Sequence, residues 1–328
     1  MDKIILGIET SCDDSCIGII RATYIEESMS WQDLANIRVT QRYDKGVIPE
    51  IAARLHLDAL NNCLKEALIA SDLTIEDIDI ICATATPGLV GSLFVGYNFG
   101  LALASANGKT FIPVHHIEGH MLVCFNNTKI EPFIAIIASG GHSQIVVYND
   151  NKYEIVCTSQ DDAIGEVFDK IGRELNCSFP AGPEIEQLAS HATNYNIQLT
   201  LPCKNKLNWS FSGVKTQCIR LIQEGHSKYD VAYTLQKTVC DSIVEKLNLV
   251  KAIYEIDNII FCGGVSANQY LRTILSDYNV KYTSIKYCTD NGIMIAVAGF
   301  KHYFTSSNKV NRYLDIGTYI GIEDWSNI

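Results

Sequence analysis

The chain lacks most of what would tie it to an oxidising compartment, a membrane or a polyanion. Its twelve cysteines are scattered over 328 residues, with no CxxC pair. Several sit inside apolar runs, as Cys82, Cys157 and Cys262 do. That pattern argues against a disulfide framework and for buried free thiols in a reducing compartment. Cys12 and Cys16 are close together, but without a second pair they are a poor zinc signal. There is no long unbroken apolar run. The longest such stretch, 89–106, is interrupted by Gly91, Gly96, Asn98, Gly100 and Ser105, so a buried helix is expected there rather than a membrane span. The opening MDKIILG has neither a basic region with a long apolar core nor an Arg-rich leader, and a cytoplasmic protein is the expectation. Positive charge is short as well. Lys and Arg number 26 against 37 Asp and Glu, a net −11. Phosphate neutralisation supplies much of the affinity for nucleic acid. Any contact with nucleic acid is therefore expected through a local patch or with a partner's help.

What is present suits a two-domain α/β protein. KIILGIET (3–10) reads as a buried strand, followed by a polar turn at 11–15 and a second strand at 16–20. FIAIIASGGHSQIVVY (133–148) repeats that design. IDIICATATPGLVGS (78–92) is strand, Gly-containing loop, helix, and DNIIFCGGVSANQYL (257–271) repeats it in turn. Two matches in the same order indicate an internal duplication, and hence two α/β lobes with a cleft between them. Helices are expected over Pro49–Ser71, where Ile51, Leu55, Leu57, Leu60, Leu64 and Leu68 recur at helical spacing, and over 92–106, 232–254 and 292–303. Residues 202–215 read as a polar surface loop.

VHHIEGH (114–120) holds three of the eight histidines. On a helix His116 and His120 lie about 40° apart, close enough to share one metal ion. In a zinc-protease HExxH helix the acid directly follows the first histidine. Here Glu118 lies about 200° round from His116, pointing away from both ligands, so a protease is disfavoured. A third ligand must come from elsewhere, and two surface histidines at a chance spacing is the alternative. His115 gets no role from the spacing. The Gly-Gly turn Ala138–His142 can offer free N–H groups to an anion or can be a plain hairpin turn. Cys262-Gly263-Gly264 either admits a nucleotide close to the backbone or only packs a strand against a helix. Asp169 can bond a ribose or be an exposed helix acid. Asp290 can cap a helix or face a cleft ligand.

Together these motifs resemble one family, the TsaD tRNA threonylcarbamoyladenosine transferases of bacterial type. The resemblance rests on LGIETSCDD (6–14), GVIPEIAARLH (46–56), PGLVGSLFVG (87–96), HHIEGH (115–120), ASGGHSQ (138–144), AIGEVFDKIGREL (163–175), WSFSGVKT (209–216), GGVSAN (263–268) and CTDNGIMIA (288–296), which occur in family order. It implies an α/β fold of two duplicated lobes of the acetate kinase/actin-like (ASKHA) superfamily. The lobes are expected at 1–130 plus 293–328 and at 131–292. It implies transfer of the threonylcarbamoyl group from threonylcarbamoyl-AMP to N6 of the adenosine 3′ of the anticodon in tRNAs reading ANN codons. It assigns one divalent metal, Fe2+ with Zn2+ as the alternative, to His116, His120 and Asp290. It assigns the acyl or phosphate end of the donor to Ala138, Ser139, Gly140, Gly141 and His142, and its adenosine to Asp169, Gly182, Glu186 and Asn268. Glu9 and Asp13 are candidates for the base. The implied partners are tRNA, a paralogous TsaB-like subunit and a TsaE-like ATPase. The sequence departs from the family's pattern in three places. Ala181 replaces a glycine, which is tolerable at negative φ. Glu186 is longer than the usual Asp, and the ending GTYIGIEDWSNI does not match, so nothing is carried onto it. A kinase of the same fold and a noncatalytic partner-binding paralogue are the alternatives.

Overall fold

The computed structural model describes residues 2–41, 47–201, 203–305, 311, 314, 316 and 319–325. Gly46 of the GVIPE motif, Pro202, and Gly317, Thr318 and 326–328 of the C-terminal segment lie outside the described residues. The chain divides into two compact units, residues 1–131 with 289–328, and residues 132–288.

The first unit begins with an antiparallel meander, β1 (Asp2–Glu9), β2 (Asp14–Ile25) and β3 (Ser28–Thr40). Helix α1 (Pro49–Ser71) then crosses to β4 (Ile80–Thr86), and α2 (Val90–Ala106) crosses to β5 (Thr110–His115), both strands adding in parallel to β1. A short helix α3 (His116–Leu122) and β6 (Thr128–Lys129) complete this stretch, and the sheet order is β5-β4-β1-β2-β3-β6. Every residue of β4 is buried, as expected of a parallel strand covered on both faces.

The second unit repeats the plan. β7 (Phe133–Ala138), β8 (Ser143–Asn149) and β9 (Lys152–Thr158) form the meander. Helices α4 (Ile164–Glu174), α5 (Gly182–Ala189), α6 (Ser212–Gln223) and α7 (Lys228–Tyr254) precede β10 (Ile259–Cys262), and α8 (Gln269–Ile274) precedes β11 (Val280–Tyr282). β10 and β11 add in parallel to β7, giving the order β11-β10-β7-β8-β9. With β1 matched to β7, the two sheets share one strand order. The chain then returns to the first unit as α9 (Gly292–Thr305) and the short turn of helix α10 (Ile322–Trp325).

Three details differ from what the sequence pattern suggests. The apolar series on α1 is only partly its buried face, with Leu60 buried and Leu64 and Leu68 half-buried. Ala52, His56, Leu60, Cys63 and Ala67 are buried, whereas Ile51, Leu55 and Leu57 are exposed. Small side chains let α1 lie close on β2 and β3, and periodicity cannot tell which of two apolar stripes a sheet will select. Within 202–215, Trp209 and Phe211 are core residues and α6 starts at Ser212. The cause is Asp161, whose carboxylate accepts from the amides of Phe211 (2.7 Å) and Ser212 (3.1 Å) and from Ser210 Oγ (2.7 Å). Finally, Glu131 and Thr289 to Gly292 group with the first unit and not with residues 132–288.

The start of α9 is seated directly on the sheet. A Cβ on Gly7 would lie 2.2 Å from Gly292 O, and one on Gly18 2.3 Å from Ile293 N. Only glycine permits that approach. It sets the position of Asp290, two residues before the helix.

Candidate functional site

His116 and His120 stand on α3, which follows β5 without a loop and is buried along its whole length. His115 takes the N-cap position, its Nδ1 accepting from Ile117 N at 3.2 Å, a role the spacing did not suggest. The rings of His116 and His120 are 4.7 Å apart and nearly perpendicular. Asp290 reaches them from the other end of the first unit. Its Oδ1 is 3.1 Å from His120 Nε2 and 3.7 Å from His116 Nε2. The expected capping role falls instead to Asn291, whose Oδ1 accepts from Met294 N at 3.0 Å. That leaves the Asp290 carboxylate for the histidines.

Behind His116 stands Glu9, fully buried at the end of β1. Its Oε2 is 2.9 Å from His116 Nδ1 and 2.5 Å from Thr84 Oγ1, and its Oε1 accepts from Ser11 N at 2.5 Å. Burial works against charge on both partners. The attraction between them outweighs it, so the Glu9 carboxyl is lowered, and the carboxylates of Glu9 and Asp290 raise His116 to about 9. Burial also raises Asp14, the first residue of β2, to about 6. Asp13 is half-buried, and its carbonyl accepts from Gln41 N.

His116, His120 and Asp290 each offer an atom within 4.8 Å of the others, a set that could hold a metal ion. The donor chemistry fits one, and Asp290 Oδ1 stands 3.1 Å and 3.7 Å from the two imidazole Nε2 atoms, at and just beyond the spacing around a bound ion. Neighbouring donors around an ion with ~2.1 Å bonds stand about 3.0–3.4 Å apart. Two imidazoles and one carboxylate suit iron or zinc. A carboxylate on the far nitrogen of a ligand histidine fixes its tautomer and raises its basicity, and Glu9 is placed to do this for His116.

In the second unit the Ser139–His142 turn joins β7 to β8. Ser139 Oγ accepts from Gly141 N (3.3 Å) and His142 N (3.1 Å), and Ser139 N donates to His142 O (2.8 Å). Side chains at Gly140 or Gly141 would meet nothing within 4 Å. Ala138, buried at the end of β7, is approached by Gly263, whose φ is +89 and whose Cβ would fall 2.4 Å from Ala138 O. Two glycine loops thus lie together at the ends of the parallel neighbours β7 and β10, where α/β sheets bind ligands.

The four residues expected around an adenosine are tied together by α5. Asp169 Oδ1 accepts from Ala181 N at 2.7 Å, and burial raises its pKa. Gly182 opens α5, and Glu186 lies one turn on. Glu186 Oε1 accepts from Gln269 N (2.7 Å) and Tyr270 N (3.0 Å), while Asn268 Oδ1 accepts from Leu271 N (2.8 Å). Glu186 and Asn268 therefore meet at the start of α8. Each carboxylate keeps one oxygen free of these bonds. Ala181 has φ −81, and its methyl occupies the space that a Cβ on Gly172 would fill.

One buried polar group escaped the motif reading. Glu118, on the far side of α3 from His116 and His120, faces His302 Nε2 (2.6 Å), Trp325 Nε1 (2.8 Å) and Lys301 Nζ (3.3 Å). An acid inside an apolar seven-residue helix and a Lys-His pair inside the apolar α9 were the available signals.

Two α/β units with one shared strand order define the class, the acetate kinase/actin-like fold. HypF of T. kodakarensis shares it at TM-score 0.63 and 14% identity, over 94% of this chain and 48% of that one. The activator of the 2-hydroxyisocaproyl-CoA dehydratase from Clostridium difficile shares it at TM-score 0.52 and 14% identity, over 96% and 100%. At such identities the likeness shows the fold alone. Within that fold, residues 31–297 match the family model TsaD, tRNA N6-adenosine threonylcarbamoyltransferase. Relatives bearing that name are 39% identical in Rickettsia bellii (strain OSU 85-389), over 92% of this chain and 94% of the relative. In Borreliella burgdorferi they are 37% identical, over 91% and 89%. In Staphylococcus saprophyticus they are 37% identical, over 94% and 95%. The chain belongs to the TsaD family of transferases.

Proposed function

We propose that this chain transfers the threonylcarbamoyl group of threonylcarbamoyl-AMP to N6 of the adenosine 3′ of the anticodon in tRNAs that read ANN codons. The observation that carries the reading is the complete two-His, one-carboxylate set in a chain of this family. His116, His120 and Asp290 would hold a divalent metal, Fe2+ in preference to Zn2+. That metal would supply Lewis acidity and a fixed point for the threonylcarbamoyl group.

The protein groups do the rest. Glu9 would accept the Nδ1–H of His116 and so leave its Nε2 lone pair for the metal. The amides of Gly141 and His142 exchange the Ser139 hydroxyl for an oxygen of the donor, with Gly140 beside them, stabilising charge as AMP departs. Asp169 and Glu186 take the adenosine hydroxyls on their free oxygens, with Gly182 and Asn268 beside them. N6 attacks the carbamoyl carbon, the bond from that carbon to the phosphate oxygen breaks, and N6 loses a proton. Of the two candidate bases, Glu9 is committed to Ser11, Thr84 and His116, so Asp13 is the one we assign.

Two observations support partner proteins. Ile51 and Leu55 on α1, and Val90 and Phe94 on α2, are exposed, on helices that pack together where Gly91 meets Ala53. The net charge of −11 leaves part of the tRNA affinity to be supplied by others. A TsaB-like subunit on that face and a TsaE-like ATPase complete the assembly. No helix among the described residues is long and apolar enough to cross a membrane, and we place the reaction in the cytoplasm. A kinase of the same fold would leave the His–His–Asp set without a use.

The test is reconstitution with the partner proteins, tRNA, threonine, bicarbonate and ATP, with nucleosides read by mass spectrometry. Threonylcarbamoyladenosine is expected. Its absence, with the same partners active on a known family member, would sink the reading.

A further inference from the structure

The Glu118 cluster joins three parts of the first unit that the two histidines and Asp290 depend on. Glu118 lies midway between His116 and His120 on α3. Lys301 and His302 lie on α9, the helix that starts two residues after Asp290. Trp325 lies on α10, in the segment onto which the sequence motifs carried no role. The cluster is closed to water, with Glu118 0%, His302 2% and Trp325 0% exposed. The Trp325 indole also packs on His115 (5.6 Å between ring centroids) and on His302 (6.3 Å). Ile320 O lies 3.2 Å from His115 Nε2, and Ile320 N donates to Thr86 Oγ1. The segment around α10 is thus bonded along the back of α3, opposite the ligand face.

A buried carboxylate is tolerated when donors surround it, and removing one donor leaves part of its charge uncompensated. Here the donors come from α9 and α10 while the acceptor comes from α3. These bonds therefore fix the distance and rotation of α3 relative to α9. One helix carries two ligands and the other follows the third, so the same bonds fix the ligand triangle.

We propose that Glu118 and Trp325 are positioning residues for the His116–His120–Asp290 centre, and that the α10 turn is the clamp that holds the centre in register. The proposal rests on the metal reading above. The expected consequence is loss of metal affinity and a changed ligand field when the clamp is loosened, with no ligand touched.

The test titrates Co2+ into the purified full-length chain, following its visible absorption, and measures Tm in parallel. Trp325→Phe keeps a buried ring and deletes only the N–H donor, so the variant is expected to fold. Its Co2+ affinity should fall about 3–10-fold with a shifted visible band, and Glu118→Gln should fall further. Leu60→Ala, in the α1 core, serves as the control, lowering Tm by at least as much while leaving the Co2+ spectrum and affinity unchanged. Wild-type affinity and an unshifted band in both Trp325→Phe and Glu118→Gln would overturn the clamp while leaving the metal reading standing. No Co2+ binding by the wild-type chain would overturn both.

Discussion

The turn after β1 and the turn after β7 occupy the same place in two copies of one strand plan, and they are built in opposite ways. The first is closed by its surroundings. Ser15 Oγ lies 2.7 Å from His56 Nδ1 on α1, Cys12 O is held by His56 Nε2 at 3.0 Å and Ser92 Oγ at 3.3 Å, and Thr10 Oγ1 donates to Ser92 O. In the second, Gly165 N of α4 donates to Ser139 O at 3.0 Å, while the Gly141 and His142 amides donate to the turn's own Ser139 Oγ, with open space at both glycines. A turn locked by two helices can hold a buried acid such as Glu9 against His116. A turn whose Gly141 and His142 amides are met by its own hydroxyl can exchange that hydroxyl for an arriving anion. Duplication supplied the scaffold, and the side chains packed around each turn divided the labour.

The largest effect that separates the copies is expected at the helix seat. Gly18→Ala would drive a methyl into the backbone of α9, costing at least about 3 kcal/mol and most soluble protein. Gly140→Ala, in the open turn, should leave Tm within about 1 °C of wild type. Thermal melts of both variants check the contrast, and equal losses would mean the seat of α9 is packed no more tightly than the open turn.

Next is the choice between Asp290 and Asn291. Asp290→Ala should lower bound metal below about a tenth of wild type, since two imidazoles alone make a weak site. Asn291→Ala should retain more than half of the metal while losing about 1 kcal/mol of helix capping. Elemental analysis beside urea melts separates them. An Asp290→Ala variant with full metal would return that residue to an ordinary loop acid.

A smaller effect is expected at the second turn. Ser139→Ala removes the acceptor that occupies the Gly141 and His142 amides, leaving them to water. Donor affinity should change by about 3–10-fold with metal content unchanged. Competition by a non-hydrolysable threonylcarbamoyl-AMP analogue measures it.

The smallest is a pH effect in the second unit. Burial acts to raise the Asp161 carboxyl, but the amides of Phe211 and Ser212 and the Ser210 hydroxyl hold it down to about 2. A carboxyl depressed in the folded state adds stability that is present above its unfolded value, near 4, and is lost as pH falls toward 2. Urea midpoints should therefore drop less between pH 5 and pH 3 for Asp161→Asn than for wild type. The group is exposed, so the difference is expected to be modest.

The parts of this architecture legible in the sequence are those written locally. Strand–turn–strand units, the i,i+4 histidines and the glycine pairs at strand ends declare themselves within a dozen residues. What was not legible depends on a distant partner. Nothing near α1 says that its Ala52–His56–Cys63 stripe, rather than Ile51 and Leu55, faces the sheet. Thr289-Asp290-Asn291 offers three capping side chains, and only the histidines on α3 decide which one is released. Trp209 and Phe211 look like loop residues until Asp161 is seen to hold their backbone. Trp325 looks like part of a tail until Glu118 supplies a buried acceptor.

The seat of α9 on β1 and β2 also limits how this centre can vary over generations. Gly7, Gly18 and Gly292 meet backbone to backbone, so no neighbouring side chain can shrink to make room for a change there. Variation that adjusts the centre is therefore channelled into residues with alternatives, such as the clamp behind α3 and the acids of the first turn. The three glycines behave as a fixed datum against which those adjustments are made.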